Sequence, residues 1–308
     1  MAGERSRKKL KTTIKHFGDS SSIITSAKSS NEVATRILLD DAHNGFKNGN
    51  FVCSPFSLDT VMGMLAAGAE GKTLKQLLDF LGHETVDQLL SESPTAILLS
   101  QISSDSNRAG RGGPVIGLAN SIWVDMKGYK ILQIPYESKG QSNDFSMYIF
   151  LPDRKDGLQE LLQVFHSDPA LFQKRFYLKR TGFDELRIPK FKMSCKFDPK
   201  DAMEQMGLTL PFNPMNMELN RILESTNSGG ADMLYVSKIL QKSFIEVDKK
   251  GTEAAACTIA TMRIGCARQL EPPPPRPRFV ADHPFMFMIR EDTSMAVLFI
   301  GVVLNPHA

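Results

Sequence analysis

Gly251-Thr252-Glu253-Ala254-Ala255-Ala256-Cys257-Thr258-Ile259-Ala260 follows a strand-like run, Lys238 to Val247, and is built almost wholly of small residues. By alternation one face carries Thr252, Ala254, Ala256, Thr258, Ala260 and Met262, and the other Glu253, Ala255, Cys257, Ile259, Thr261 and Arg263. The first face has no charge and no bulk before Met262, so the segment has one buriable face, as a strand does. Yet it leads into Glu271-Pro272-Pro273-Pro274-Pro275-Arg276-Pro277-Arg278. That run reads as exposed loop, because proline donates no ladder hydrogen bond and favours open, extended backbone. A potential strand inside a loop is a segment able to change state.

Outward from this segment, other stretches carry information of the same kind. They are Asn50-Phe51-Val52-Cys53-Ser54-Pro55-Phe56-Ser57, Gly68-Ala69-Glu70-Gly71-Lys72-Thr73 and Phe145-Ser146-Met147-Tyr148-Ile149-Phe150-Leu151-Pro152. Two more are Phe279-Val280-Ala281-Asp282-His283-Pro284-Phe285 and Val297-Leu298-Phe299-Ile300-Gly301. Together with the segment at Gly251 they resemble the serpins, in family order from about Asn31 to Pro306, and the wording of the last two is closest to plant serpins. The resemblance implies an α+β serpin fold of several sheets with helices. It also implies suicide inhibition of a serine or cysteine protease, with the chemistry supplied by the target. The protease nucleophile attacks an exposed loop and forms an acyl-enzyme. The cleaved loop then inserts as a new strand in the main sheet.

That mechanism gives the residue types a reason. Thr252, Ala254 and Ala256 face inward on insertion, where a charge would be buried unpaired at a cost of several kcal/mol. By resemblance the hinge is Gly251, Thr252, Glu253, Ala254, Ala255 and Ala256, and the scissile bond joins Gly265 to Cys266. Arg263 and Arg268 are the alternatives, because glycine offers nothing to a specificity pocket. Insertion would carry the loop end about 46 Å, roughly 14 residues at about 3.3 Å each.

The receiving sheet is where the sequence departs from the family. Ser54 and Ser57 match two members of the cluster that holds the sheet closed, and Gln241 stands where a histidine is expected. An asparagine from the central strand has no counterpart. Val115–Val124 and Tyr129–Pro135 alone read as a hairpin around Asp125-Met126-Lys127-Gly128. In serpins these strands lie in different sheets, separated by a long segment. A four-residue link covers at most about 14 Å. The resemblance therefore implies a domain over 29–308 lacking a central block at about Asp125–Met126, with an incomplete main sheet. The alternative is a non-inhibitory relative whose loop is only a substrate or an interaction site. Unpaired edges would also invite self-association.

Composition excludes other classes. The 308 residues are 42% hydrophobic and 23% charged with a net charge of +3, ordinary globular material without a nucleic-acid partner. Residues 1–28 are basic and Ser-rich and read as disordered, the cluster Arg5–Lys11 being a local patch. No signal peptide or membrane span is visible, which favours a cytoplasmic or nuclear setting, with an extracellular one open by family association. Four scattered cysteines make no disulfide framework. The histidines show no metal spacing, no nucleophile elbow is present, and neither cofactor nor enzymatic activity is expected. Gly68–Thr73 lacks the first glycine of a phosphate loop and follows a helix-like run. Capped helical patterns at Ser29–Leu38, Leu58–Gly68, Leu74–Leu81 and Val86–Ile102 gather early, with two shorter ones at Leu158–Phe165 and Lys200–Met206. Strand patterns at Phe145–Leu151, Glu185–Phe191, Lys238–Val247, Phe285–Arg290 and Val297–Leu304 come late, as in an α+β chain.

Overall fold

A computed structural model describes residues 30–47, 49–105, 115–116, 122–126, 128–137, 144–176, 178–180, 183–222, 234–247 and 277–306. The basic N-terminal segment, the small-residue hinge and the proline run lie outside these residues.

Five helices fill the first part of the chain: α1 (Ser30–His43), α2 (Pro55–Gly68), α3 (Gly71–Leu81), α4 (Val86–Glu92) and α5 (Pro94–Asp105). Each boundary has a local cause. The Ser54 hydroxyl accepts from the Ser57 N–H and Pro55 opens α2, where its missing donor costs nothing. Gly82, at φ +79°, closes α3 in the left-handed region. The pattern Val86–Ile102, interrupted at Pro94, forms two helices. Pro94 cannot continue α4 but is well placed to begin α5, whose first turn is capped by Ser93 Oγ accepting from the Ala96 N–H at 3.1 Å. Two further helices, α6 (Leu158–Ser167) and α7 (Lys200–Gln205), follow later.

Asp59 of α2 is partly buried at the junction of three helices. Thr95 Oγ1 of α5 donates to its Oδ2 at 3.2 Å, and Ser30 at the start of α1 lies beside it. Burial pushes its carboxyl up to about 6, against the pull of these hydrogen bonds. A carboxyl raised in the folded state stabilises most when protonated. Its contribution is complete below the unfolded value near 3.9 and is lost as the pH rises through about 6. In Asp59→Asn this share of the pH dependence, of order 1–3 kcal/mol, should disappear. Urea melts of both proteins at pH 4, 5, 6 and 7 check it, and parallel curves would contradict it.

The strands are β1 (Phe51–Cys53), β2 (Val115–Ile116), β3 (Ile122–Met126), β4 (Tyr129–Glu137), β5 (Phe145–Pro152) and β6 (Lys179–Arg180). They continue with β7 (Glu185–Arg187), β8 (Phe191–Phe197), β9 (Gln241–Val247), β10 (Arg278–Val280), β11 (Phe285–Glu291) and β12 (Val297–Val303). Eight of them form one sheet, in the order β1-β12-β11-β5-β4-β3-β6 with β2 also on β4. Its central strands are apolar on both faces because both are covered. Ile131, Tyr148, Phe150, Met286 and Ile300 pack against α1 and α6. Leu132, Ile149 and Phe287 face the layer containing Phe191, Met193 and Ile245. Val33, Leu58, Met62, Leu77 and Met203 form a third cluster among the helices.

Two sequence expectations change here. The run Glu185–Phe191 is not one strand. It breaks around Pro189 into β7, paired in parallel with β10, and β8, paired with β9. The link at Asp125–Gly128 makes a true hairpin. Asp125 faces Lys130 and Met126 faces Tyr129, with the turn passing through Gly128 at φ +96°. The family expectation of two different sheets therefore fails for these strands: β3 lies in the same sheet, between β4 and β6. Covalent reach decides this, since a link this short returns the chain beside itself.

Candidate functional site

The strand leading toward Gly251 is β9, and its surroundings define the site. β9 pairs antiparallel with β8 over its whole length, from Phe191↔Val247 to Phe197↔Gln241. Among the described residues these two strands form a sheet by themselves, so the other edge of β9 carries no ladder. Gln241, Ser243 and Ile245 point inward and Lys242, Phe244 and Glu246 outward. The outer face is polar with one aromatic. Lys192 Nζ lies 3.1 Å from Glu246 Oε2 and 5.4 Å from the centre of the Phe244 ring, which is 52% exposed. The inner face is held by aromatic packing, with Phe191 5.3 Å from Phe287 and 6.1 Å from Phe285 between ring centres.

Ser54, Ser57 and Gln241 lie together at the start of β9. The buried Gln241 amide grips the backbone of Ser54 on both sides. Its Oε1 accepts from the Ser54 N–H at 3.1 Å and its Nε2 donates to the Ser54 carbonyl at 2.7 Å. Ser57 contributes its backbone N–H, which donates to Ser54 Oγ at 3.2 Å. A glutamine serves here because a primary amide presents a donor and an acceptor side by side, matching the N–H and C=O of one residue. The clasp joins β9 to the corner between β1 and α2, and it contains no titratable group. Ser243 Oγ, two residues along the same face, is buried with no hydrogen-bond partner among the described residues.

Gln241→Ala should strand both backbone groups of Ser54 in a buried position and cost about 2–4 kcal/mol. Gln241→Glu restores the acceptor only, and should cost more at pH 8 than at pH 5, where a protonated carboxyl can donate. Denaturant midpoints at the two pH values check the order.

Sequence reasoning missed residues that fix the neighbouring corner. Cys195 Sγ of β8 accepts from the Val52 N–H at 3.3 Å and meets the Asn50 carbonyl at 3.5 Å. Burial pushes the thiols of Cys195 and Cys53 upward, so both are packing groups more than nucleophiles. Asn50 Oδ1 accepts from the N–H groups of Leu304 and Asn305 at 2.7 and 3.0 Å, tying the entry of β1 to the end of β12. The alternation Phe191, Met193, Cys195, Phe197 was a legible signal for β8; the Asn50 bonds had none.

Other signals find structural roles. The N–H and hydroxyl of Thr73, at the start of α3, both donate to Glu218 Oε2 at 2.6 and 2.8 Å. A carboxylate of the chain itself thus occupies the place a phosphate would take. Met215 and Met217 are exposed, as a surface loop requires. Among the described residues no cluster of His, Cys, Asp or Glu is arranged to hold a metal, and no helix is long and apolar enough to cross a membrane. Hinge residues Gly251–Ala256 and reactive-centre residues Arg263, Gly265, Cys266 and Arg268 lie outside the described residues.

Comparison with known proteins follows the same lines. The family pattern described as "Serpin (serine protease inhibitor)" matches residues 28–128 and 125–306, two pieces that meet at the β3–β4 link. Serpin-Z3 of Arabidopsis thaliana is 43% identical over 179 residues, which are 58% of this chain and 43% of that protein. Serpin-ZX of Hordeum vulgare is 41% identical over 177 residues, 58% of this chain and 43% of that protein. The matched chain spans less than half the length of these curated relatives. Among solved structures, Arabidopsis AtSerpin1 in its native stressed conformation superposes with a TM-score of 0.69 at 24% identity, covering 91% of this chain and 97% of its own. The thermophilic serpin tengpin in its native state gives 0.64 at 17% identity, covering 99% and 97%. These two likenesses concern the fold.

Proposed function

The chain belongs to the serpin family, and from that premise we propose that it is an endopeptidase inhibitor of the serpin type. It offers Gly265–Cys266 to a serine or cysteine protease, with Arg263 and Arg268 as the neighbouring alternatives. The observation that carries the reading is the edge of β9 opposite β8, which bears no ladder among the described residues, on a strand ending only four residues before Gly251. The protease nucleophile attacks the carbonyl of the scissile residue, the amine of the next residue leaves, and an ester or thioester joins loop to enzyme. The freed segment then pairs along β9, with Thr252, Ala254 and Ala256 on the inward face. One side of the new strand gains a ladder along Gln241–Val247. The drive comes from the ladder hydrogen bonds that the added strand forms.

Incubation with trypsin-like, elastase-like and papain-like proteases tests this reading. A complex of chain and protease that survives boiling in detergent is expected with at least one of them. Clean loop cleavage by all, without a complex, would overturn inhibition in favour of a substrate-like relative. Ala256→Arg adds a sharper check. A charge at an inward position should raise cleaved chain over complex at least tenfold, since burying it unpaired costs several kcal/mol.

A further inference from the structure

His283 stands in the corner between β10 and β11, where the chain rejoins the body after residues 248–276. Its side chain is 11% exposed. Nε2 lies 2.7 Å from the carbonyl oxygen of Pro152, the last residue of β5, and Nδ1 lies 2.7 Å from Asp282 Oδ1. Both partners are acceptors. A carbonyl oxygen cannot donate, and neither can an ionised carboxylate. A neutral imidazole has one N–H, so it can satisfy only one of them and must turn a lone pair toward the other. Only the doubly protonated ring makes both bonds.

The charges around this ring come from four elements. Lys130 of β4 pairs with Asp153 at 3.9 Å just beyond β5. Arg278 of β10 is bound by Glu185 of β7, which also holds Arg187 at 2.7 Å. Lys155 acts on Asp282 across the gap. The hydrogen bond from His283 is the first cause holding the Asp282 carboxyl below the usual range, with the charges of His283 and Lys155 adding to it. Asp282, His283, Lys130, Asp153, Lys155 and Arg278 line an open cavity of about 350 Å³, which gives water access to the ring. Backbone bonds also hold the corner: the Ala281 N–H donates to the Arg187 carbonyl at 2.9 Å and the Asp184 N–H to the Pro277 carbonyl at 3.0 Å.

The geometry points to His283 as a proton-dependent clasp, locking the β10–β11 corner onto the end of β5 when the ring carries two protons and loosening it when the ring carries one. It acts at the far end of the segment that leaves β9, so proton concentration sets how firmly that end is anchored. Lower pH tightens the clasp, because it supplies the second ring proton. The idea stands whether or not the loop inhibits a protease.

Two measurements test it together. Thermal melts of the full chain and of Asp282→Asn, from pH 5 to pH 8, should differ by a few degrees at pH 5, with the difference shrinking toward pH 8. Nitrogen-15 spectra of the imidazole should show both His283 nitrogens protonated at pH 5.5 in the full chain and one at pH 8. Parallel melting curves, or a singly protonated ring at pH 5.5, would overturn the clasp. The spectra decide the matter even if the variant fails to fold.

Discussion

Replacing Arg290 with methionine is expected to destabilise the protein by about 3–5 kcal/mol, among the largest effects of any single substitution in this chain. Arg290 is 1% exposed on β11. Its Nη1 donates to the carbonyls of Phe172 and Lys174, each at 3.0 Å. Its Nη2 reaches Tyr148 OH at 2.8 Å and Asp292 Oδ1 at 2.9 Å, and Nε reaches the same carboxylate oxygen at 3.1 Å. The guanidinium carbon also lies 4.7 Å from the centre of the Tyr148 ring. Removing it strands the Phe172 and Lys174 carbonyls and takes the counter-charge from Asp292, around a hole that methionine fills only in volume. Tyr148 OH and Gln133 Nε2 still donate to Asp292, at 2.6 and 3.1 Å, so the carboxylate is not left bare. Arg290→Met with Asp292→Asn should therefore recover part of the loss, measured as denaturant midpoints in a double-mutant cycle. A single-variant loss below about 1 kcal/mol would contradict the assignment.

Gly301→Ala is the second large effect, for a steric reason. Gly301 lies in β12 between β1 and β11, opposite Val52 on one side and Phe287 on the other. A Cβ there would sit 2.4 Å from the Phe51 carbonyl oxygen and 2.6 Å from Phe287 Cζ. The ring cannot swing away because Phe287 is fully buried, and the carbonyl is backbone. Either β1 leaves β12 or the core opens, at a cost of about 3 kcal/mol. The strain should also reach the site, because β1 runs into Ser54, which Gln241 clasps. Faster amide exchange at Ser54 is expected alongside the lower melting temperature, and a melt like that of the unaltered chain would show that the sheet can yield.

Much of this architecture is legible in the residues. Phe145–Pro152, Phe285–Glu291 and Val297–Val303 are apolar runs with strand composition, and all three are strands of the large sheet. The helix boundaries follow from Ser54-Pro55, Gly82 and Pro94. The resemblance misled at one place. It assigned the strands flanking Asp125–Gly128 to different sheets, while the plain pattern and the reach of the link favoured the hairpin that is found. Long-range partners were beyond a one-dimensional pattern. By resemblance Gln241 stands in a histidine's place, but its grip on the Ser54 backbone depends on how β9 lies against the β1–α2 corner. Arg290 reads as the polar end of the strand Phe285–Arg290, yet it and the next residue, Glu291, are both buried. Only the packed partners, Tyr148 and Asp292 for Arg290 and Ser294 for Glu291, explain why.

The central claim is that the segment beginning at Gly251 adds to the edge of β9 opposite β8. Amide hydrogen exchange across Gln241–Val247, before and after a single cut in the loop near Gly265, tests it most directly. Addition of a strand predicts that the β9 amides facing away from β8 slow by at least tenfold after cleavage, because each gains a carbonyl partner. Unchanged exchange along β9 in the cleaved protein would contradict it.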